Sequence, residues 1–199
     1  MPYSKEHKER TRERIVEAAR KLFNRHGFEQ VSIDQIMAAA GLTRGGFYYH
    51  FASKDELYAA AVTSFAATNP FRRSLESGPV LAPDELARQL LNLYLGDAVF
   101  GDLDNHCPLY ALPGDVARSG ESPQRAYTHL ARGLMSVFQQ ALDGRADAER
   151  RAQAIVSLCV GGMVLARTSD DPQLRQAFRA SAREQALALL ATPKDAVPA

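Results

Sequence analysis

Residues 32–51, Ser-Ile-Asp-Gln-Ile-Met-Ala-Ala-Ala-Gly-Leu-Thr-Arg-Gly-Gly-Phe-Tyr-Tyr-His-Phe, constrain the fold of this chain more than any other stretch. They read as two short helices joined by a tight turn. The first is predicted over 32–40, where Ile33, Ile36 and Met37 share one apolar face. Gly41 supplies the left-handed corner that ends it. Thr43 is expected to cap a second helix whose inward face carries Phe47 and Phe51, one turn apart. Arg44, Tyr48, Tyr49 and His50 are then left facing solvent. That layout is a helix-turn-helix, whose second helix enters the DNA major groove.

The flanking segments fit around the pair. Ile15, Ala18, Ala19, Leu22 and Phe23 fall at helical spacing, which predicts a first helix over about 5–26, closed by Gly27. Ser32 with Gln35, and Ser53 with Glu56, match the reciprocal capping pattern of helix starts. A fourth helix is therefore predicted from near Lys54, with Leu57, Ala61 and Phe65 inward.

The run Gly41-Leu-Thr-Arg-Gly-Gly-Phe-Tyr-Tyr-His-Phe-Ala-Ser-Lys-Asp-Glu-Leu57 resembles the signature of the TetR/AcrR-type bacterial transcriptional regulators. Residues 15–23 and 28–36 are similar to that family as well. The resemblance covers roughly residues 10–60; beyond them only length and helical layout agree. It implies an all-α fold with a three-helix DNA-binding domain over 1–55, the helix from 53 serving as connector. A helical effector-binding and dimerisation domain would follow over 56–192, then a disordered tail over 193–199. The implied partners are a double-stranded DNA operator, a second copy of the chain and a small-molecule effector, with repression the family's common mode.

Composition bounds the rest. The chain has 199 residues, of which 46% are hydrophobic and 24% charged, as in an ordinary soluble protein that can bury a sizeable core. A polar, charged N-terminus argues against a secretory signal. The longest mostly apolar run, 154–166, is too short to span a bilayer, so no membrane association is expected. Cys107 and Cys159 lack the spacing of a disulfide framework or zinc site, which fits a reducing cytoplasm. Histidines at 7, 26, 50, 106 and 129 are scattered, and no phosphate loop or nucleophile elbow occurs. Catalysis, a bound metal and a cofactor are therefore not expected. A helical adaptor that binds only other proteins is the rival class; it leaves the outward Arg44, Tyr48, Tyr49, His50 and Lys54 unexplained.

The net charge of +1 divides unevenly along the chain. Residues 1–55 hold ten Lys or Arg against seven Asp or Glu, and the remainder fourteen against sixteen. Lys5, Lys8, Arg10, Arg12 and Arg14 form a basic arm suited to phosphates. The plain alternative is a solvated helix end, since Glu6, Glu9 and Glu13 interleave.

Candidate DNA-binding residues are Ser32, Thr43, Arg44, Gly45, Gly46, Tyr48, Tyr49, His50 and Lys54. Arg44, at the start of the reading helix, suits a two-pronged contact with guanine O6 and N7, or else a phosphate. Gly45 and Gly46 weaken the helix but let backbone approach bases. Tyr49 and His50 match family positions that touch phosphate or base edges. Tyr48 matches too, with packing beneath Phe51 as the alternative. Lys54 follows the Ser53 cap and, by family resemblance, binds DNA backbone; Ser32 is a cap that can also donate to phosphate.

Beyond residue 68 the chain shows helical punctuation without a strand signal. Pro70, Gly78, Pro79 and Pro83 mark a linker. A helix is predicted from Asp84 to near Gly101, and another from Pro108 to Arg118, kinked or divided at Pro113. Ser122-Pro123 reads as a cap and first helical position, with Tyr127, Leu130, Leu134, Val137, Phe138 and Ala141 inward. Two long helices close the chain, over about 146–168 and from Pro172. By the family resemblance and the apolar breadth of the first of them, Ile155, Val156, Val160, Gly161, Val164, Phe178 and Leu189 are the candidate dimer contacts, with Gly161 and Gly162 permitting close backbone approach; the alternative is that both helices simply complete the monomer core. The resemblance implies an effector pocket in this region, with Tyr94, Cys107, Tyr110, Met135, Phe138 and Met163 as candidate walls, although such residues at helical spacing are more often plain core. Cys107, at a predicted helix start beside His106, offers a thiol-sensing alternative to a ligand-responsive regulator.

Overall fold

The structure is a computed structural model that describes residues 5–68 and 80–191. The linker prolines and glycine at 70, 78 and 79 and the expected tail lie outside the described residues. Among the described residues there is no strand, and no helix long and apolar enough to cross a membrane. The order is α1 (Lys5–His26), α2 (Ile33–Ala39), a 3-10 turn (Arg44–Gly46), α3 (Phe47–His50) and α4 (Lys54–Thr68). Then follow α5 (Pro83–Tyr94), α6 (Asp97–Gly101), a second 3-10 turn (Leu103–Asn105), α7 (Pro108–Ala111) and α8 (Pro113–Arg118). The chain closes with α9 (Glu121–Ala141), α10 (Ala148–Thr168) and α11 (Pro172–Ala191).

Packing divides the chain into two compact units, Met1–Asn69 with Leu103–Leu130, and Pro70–Asp102 with Ala131–Ala199. This differs from the expected split at 55/56. The physical reason lies in α1. Its Arg20, only 4% exposed, donates from Nη1 to the Asp104 carbonyl at 2.5 Å and from Nη2 to Asn105 Oδ1 at 3.1 Å. Asn24 donates through Nδ2 to the carbonyls of Asp104 and His106. Farther on, Asp115 Oδ2 accepts from the Phe28 amide at 2.9 Å. Buried polar groups need such partners, so residues 103–118 are bound into the N-terminal unit by hydrogen bonds that no hydropathy pattern announces.

The apolar core of the first unit holds most of the residues expected, with Ala18, Leu22 and Ile33 only half-buried and Tyr58 added. Ile15, Ala19, Phe23, Ile36, Phe47, Leu57 and Tyr58 are wholly buried. The Tyr58 ring packs on Phe23 and Phe28, with centroids 5.1 and 4.6 Å away. Each of the large apolar side chains among them contributes on the order of 1.5–3 kcal/mol on leaving water. Gly41, at φ +67°, makes the left-handed corner between α2 and the reading segment, a conformation glycine adopts without a Cβ penalty.

In the second unit α10 and α11 run antiparallel: Arg151 Nη1 donates to the Leu189 carbonyl, and Arg175 Nε to that of Ser169. Gly162 is where they touch most closely. A Cβ added there would lie 2.6 Å from the Ala182 Cβ and 3.4 Å from the Phe178 carbonyl oxygen. Arg179, on α11, donates to the Leu95 carbonyl at 3.1 Å, pairs with Asp97 at 2.7 Å and covers the Phe100 ring. Its guanidinium satisfies the end of α5, so the single helix expected from 84 to 101 is instead two, broken at Leu95–Gly96.

Other boundaries also moved. α9 begins at Glu121, ahead of the expected Ser122 cap, and the Gly120 carbonyl accepts from the Gln124 amide at 3.4 Å. α10 begins two residues later than expected, at Ala148. Pro113 does divide its segment, as a first-turn residue of α8. Asp171 Oδ1 caps α11, accepting from the amides of Gln173 and Leu174.

Candidate nucleic-acid interface

The helix-turn-helix forms from residues 32–51. Ser32 Oγ accepts from the Gln35 amide while Gln35 Oε1 accepts from the Ser32 amide, so both halves of the predicted capping box are made. At the far end, Arg14 Nη2 donates to the Ala40 carbonyl at 2.6 Å. Arg14, read as part of the basic arm, thus satisfies the C-terminus of α2.

The second element differs from expectation. Thr43 occupies the position before the turn, but its side chain makes no capping hydrogen bond. Arg44–Gly46 form a 3-10 turn, and only Phe47–His50 are α-helical. Two adjacent glycines, each costing ~1 kcal/mol in a helix interior, account for so short a helix. Phe47 and Phe51 are buried as predicted, their rings 5.9 Å apart.

What remains outside is a polar, aromatic surface. Arg44 is 66% exposed, Tyr48 64% and Tyr49 63%. Tyr48 sets its ring edge-on to Phe47 at 5.2 Å and does not pack beneath Phe51. A Cβ at Gly45 would meet nothing within 4 Å, so backbone there is open to a ligand. Gly46 backs onto Met37, whose Cε is 3.6 Å from where its Cβ would be. Lys8 lies over the Tyr49 ring at 4.4 Å and Arg12 over the Phe51 ring at 4.6 Å. These contacts bring the N-terminal turns of α1 to the reading surface. Such contacts are weak at exposed sites, ~0.5–1 kcal/mol, and leave both cations near the surface.

His50 and Lys54 are more enclosed than a pure surface reading expects. His50 Nδ1 is buried without a hydrogen-bond partner. Burial first, then the charges of Lys8 and Arg12, lower its pKa and favour the neutral imidazole. The Lys54 ammonium donates to the Phe28 carbonyl and sits 4.1 Å from the centre of the Phe28 ring. Burial lowers its pKa, against the opposing pull of Glu29, Asp55 and Asp115. It therefore ties α4 to the α1–α2 connection in the absence of DNA. Asp34 is the residue that sequence reasoning missed: Arg44 Nη1 donates to its Oδ2 at 2.9 Å. Its only signal was an acidic side chain in the first turn of α2, ten residues before Arg44.

The expected effector walls fall in both units. Tyr94, Phe138 and Met163 are buried in the second, where Met135 is half-buried; Cys107 and Tyr110 are buried in the first. Cys107 precedes α7, which has only four residues, and is a buried residue, 3% exposed. An open groove of about 980 Å³ follows the flank of α1 beside Arg10, Glu13, Arg14, Lys21 and Gly41, and includes none of the expected walls.

Of the expected dimer contacts, Val156, Val160, Gly161, Val164, Phe178 and Leu189 are half-buried. Ile155 is wholly buried against its own chain, so it has no surface to offer a second copy. The adjacent glycines differ: Gly162 is filled by α11, whereas a Cβ at Gly161 would meet nothing within 4 Å.

Residues 15–61 match the family described as bacterial regulatory proteins, tetR family. The HTH-type transcriptional regulator TtgR of Pseudomonas putida is 28% identical over 172 residues, which cover 79% of this chain and 80% of that protein. The crystal structure of the multidrug binding protein EbrR, complexed with imidazole, has a TM-score of 0.68 at 26% identity, over 93% of this chain and 92% of that one. Reduced NemR of E. coli shares the fold, with a TM-score of 0.71 at 20% identity over 88% and 96% of the two chains. With the helix-turn-helix built and its polar face outward, the matched residues 15–61 make this chain a TetR-type transcriptional regulator.

Proposed function

We propose that the protein is a homodimeric repressor that holds a near-palindromic operator and leaves it when a small molecule binds its helical region. The observation that carries this reading is the outward projection of Arg44, Tyr48 and Tyr49 from a helix pair anchored by buried Phe47 and Phe51. Residues 1–55 contribute the DNA contacts; residues 56–192 contribute the effector pocket and the self-association. Arg44 reads guanine through O6 and N7, a contact worth ~1–3 kcal/mol of discrimination. Tyr48, Tyr49, His50 and the backbone at Thr43, Gly45 and Gly46 complete the groove contacts, with Ser32 and Lys54 on phosphate.

Self-association uses α10 and α11. Half-buried Val156, Val160, Val164, Phe178 and Leu189, with exposed Leu165 and Leu174, give these helices apolar surface that a second copy can cover. Two-fold symmetry then sets two reading segments one DNA turn apart, ~34–36 Å, which makes the operator a near-palindrome. The likeness to a multidrug binding protein supports an organic effector, with Tyr94, Met135, Phe138 and Met163 as wall residues. Effector binding favours a dimer whose reading segments no longer match successive grooves. Emptying a nearly full operator needs a preference of ~5.5 kcal/mol for the released form.

The test is selection from an unbiased pool of random duplexes, with the mass of the bound species measured in parallel. A near-palindrome bound by a dimer is the expected result. A strictly monomeric protein without preference for any duplex defeats the proposal.

A further inference from the structure

Asp34 is the acidic residue in the first turn of α2. Its carboxylate has no capping task, because Ser32 and Gln35 already satisfy one another. Instead Oδ2 accepts a hydrogen bond from Arg44 Nη1 at 2.9 Å. Both side chains stand well into solvent, at 66% exposure for Arg44 and 57% for Asp34. An ion pair this wet adds little to stability. The buried Ile36, Met37 and Phe47 supply the apolar packing of these elements. What the pair does change is the arginine, a long and flexible side chain held against α2 before any DNA arrives.

We propose that Asp34 is a specificity-determining, positioning residue that acts on DNA recognition through Arg44. This rests on the reading of Arg44 as a base-contacting residue. A guanidinium carries five N–H groups in a rigid fork. Asp34 engages one of them, on Nη1, and leaves the Nε–Nη2 edge free for guanine O6 and N7. Holding the fork in advance removes ordering that binding would otherwise have to supply. The carboxylate also acts on the wrong sequences. Non-specific binding is driven by neutralising phosphates, and a negative charge beside Arg44 opposes that use of the arginine. The cognate site gains from the held fork, while random DNA meets a repulsive element, the pairing from which specificity is commonly built.

The experiment uses the full chain and two duplexes, one enriched from a random pool by the wild-type protein and one scrambled from it. Affinities are measured across a salt series for wild type, Asp34→Ala, Asp34→Asn, Arg44→Ala and the Asp34→Ala/Arg44→Ala double variant. Asp34→Ala is expected to bind the scrambled duplex about three- to tenfold more tightly, with a salt slope steeper by about one. It binds the selected duplex no more tightly, so the specificity ratio falls by the same factor. Asp34→Asn, which keeps an acceptor and loses the charge, tightens scrambled binding equally but retains more affinity for the selected duplex. In the Arg44→Ala background, removing Asp34 lowers the ratio no further. A ratio within about twofold of wild type for Asp34→Ala, while Arg44→Ala still collapses it, overturns the role of Asp34 alone. A ratio unmoved by Arg44→Ala overturns the base-reading assignment, and the role of Asp34 with it.

Discussion

The reading pair, α2 with the turn into α3, and the closing pair, α10 with α11, solve opposite problems with two helices each. In the first, Phe47 and Phe51 are buried and Arg44, Tyr48 and Tyr49 are left out in water. In the second, small residues let two long helices touch at Gly162, and half-buried valines line the outside. Long polar and aromatic side chains on a short, glycine-weakened element suit a hydrated, charged partner. Small and branched apolar side chains on long helices suit a partner made of the same chain. The lesson lies in what each surface leaves unsatisfied: hydrogen-bonding and charged groups on one, apolar area on the other.

The comparison breaks most visibly at the anchor of the reading pair. Phe47→Ala removes a wholly buried ring and is expected to cost about 3–5 kcal/mol in denaturant unfolding. Operator affinity should fall with it. A variant that keeps wild-type stability would show that the aromatic anchor does not hold the reading surface. Next comes the close approach in the other pair. Gly162→Val places its Cβ 2.6 Å from that of Ala182 and should cost ~1–3 kcal/mol through overpacking. Gly161→Ala enters open space within the subunit. Helix content should hold or rise, while sedimentation shows weaker self-association; undiminished dimerisation would remove Gly161 from the interface.

Lys54 sharpens the boundary between structural and DNA-contacting roles. Lys54→Met deletes the hydrogen bond to the Phe28 carbonyl, worth ~1 kcal/mol of stability. As a phosphate ligand it should also weaken all duplexes alike and reduce the salt slope by ~1. Lower stability with an unchanged slope would confine Lys54 to the internal tie.

The smallest effect is the titration of His50. Burial and the Lys8 and Arg12 charges hold its folded pKa below 6.5. The unfolded chain therefore takes up this proton first as pH falls. The stability contribution is complete above about 6.5 and is lost as pH drops through the depressed folded value. Urea midpoints at several pH values should show that part of the slope disappear in His50→Gln.

Much of the architecture was legible because it is local. α1 has the expected bounds, α2 differs from expectation only in its cap residues, and Ser32, Gly41, Phe47 and Phe51 hold the positions their spacing required. The capping box is a four-residue pattern, and the buried phenylalanines lie one turn apart. The short reading helix is a local departure, set by Gly45 and Gly46; the other main departures are non-local. Nothing near Gly96 in sequence reveals Arg179, which arrives from α11 to satisfy the Leu95 carbonyl. Lys54 and Phe28 are separated by 26 residues, and Arg44 and Asp34 by ten.

The sequence by itself determined an all-helical chain, a helix-turn-helix and the outward turn of Arg44, Tyr48 and Tyr49. Helical periodicity and the cost of wetting apolar side chains suffice for that. Only the tertiary structure decided that residues 103–118 pack into the N-terminal unit, and that Gly162 rather than Gly161 is filled by its own chain. It also decided that Arg44 carries a counter-charge. Arg20, Asn24 and Asp115 hold distant backbone through hydrogen bonds, and such bonds depend on where a donor and an acceptor meet in space, which no periodicity along the chain encodes.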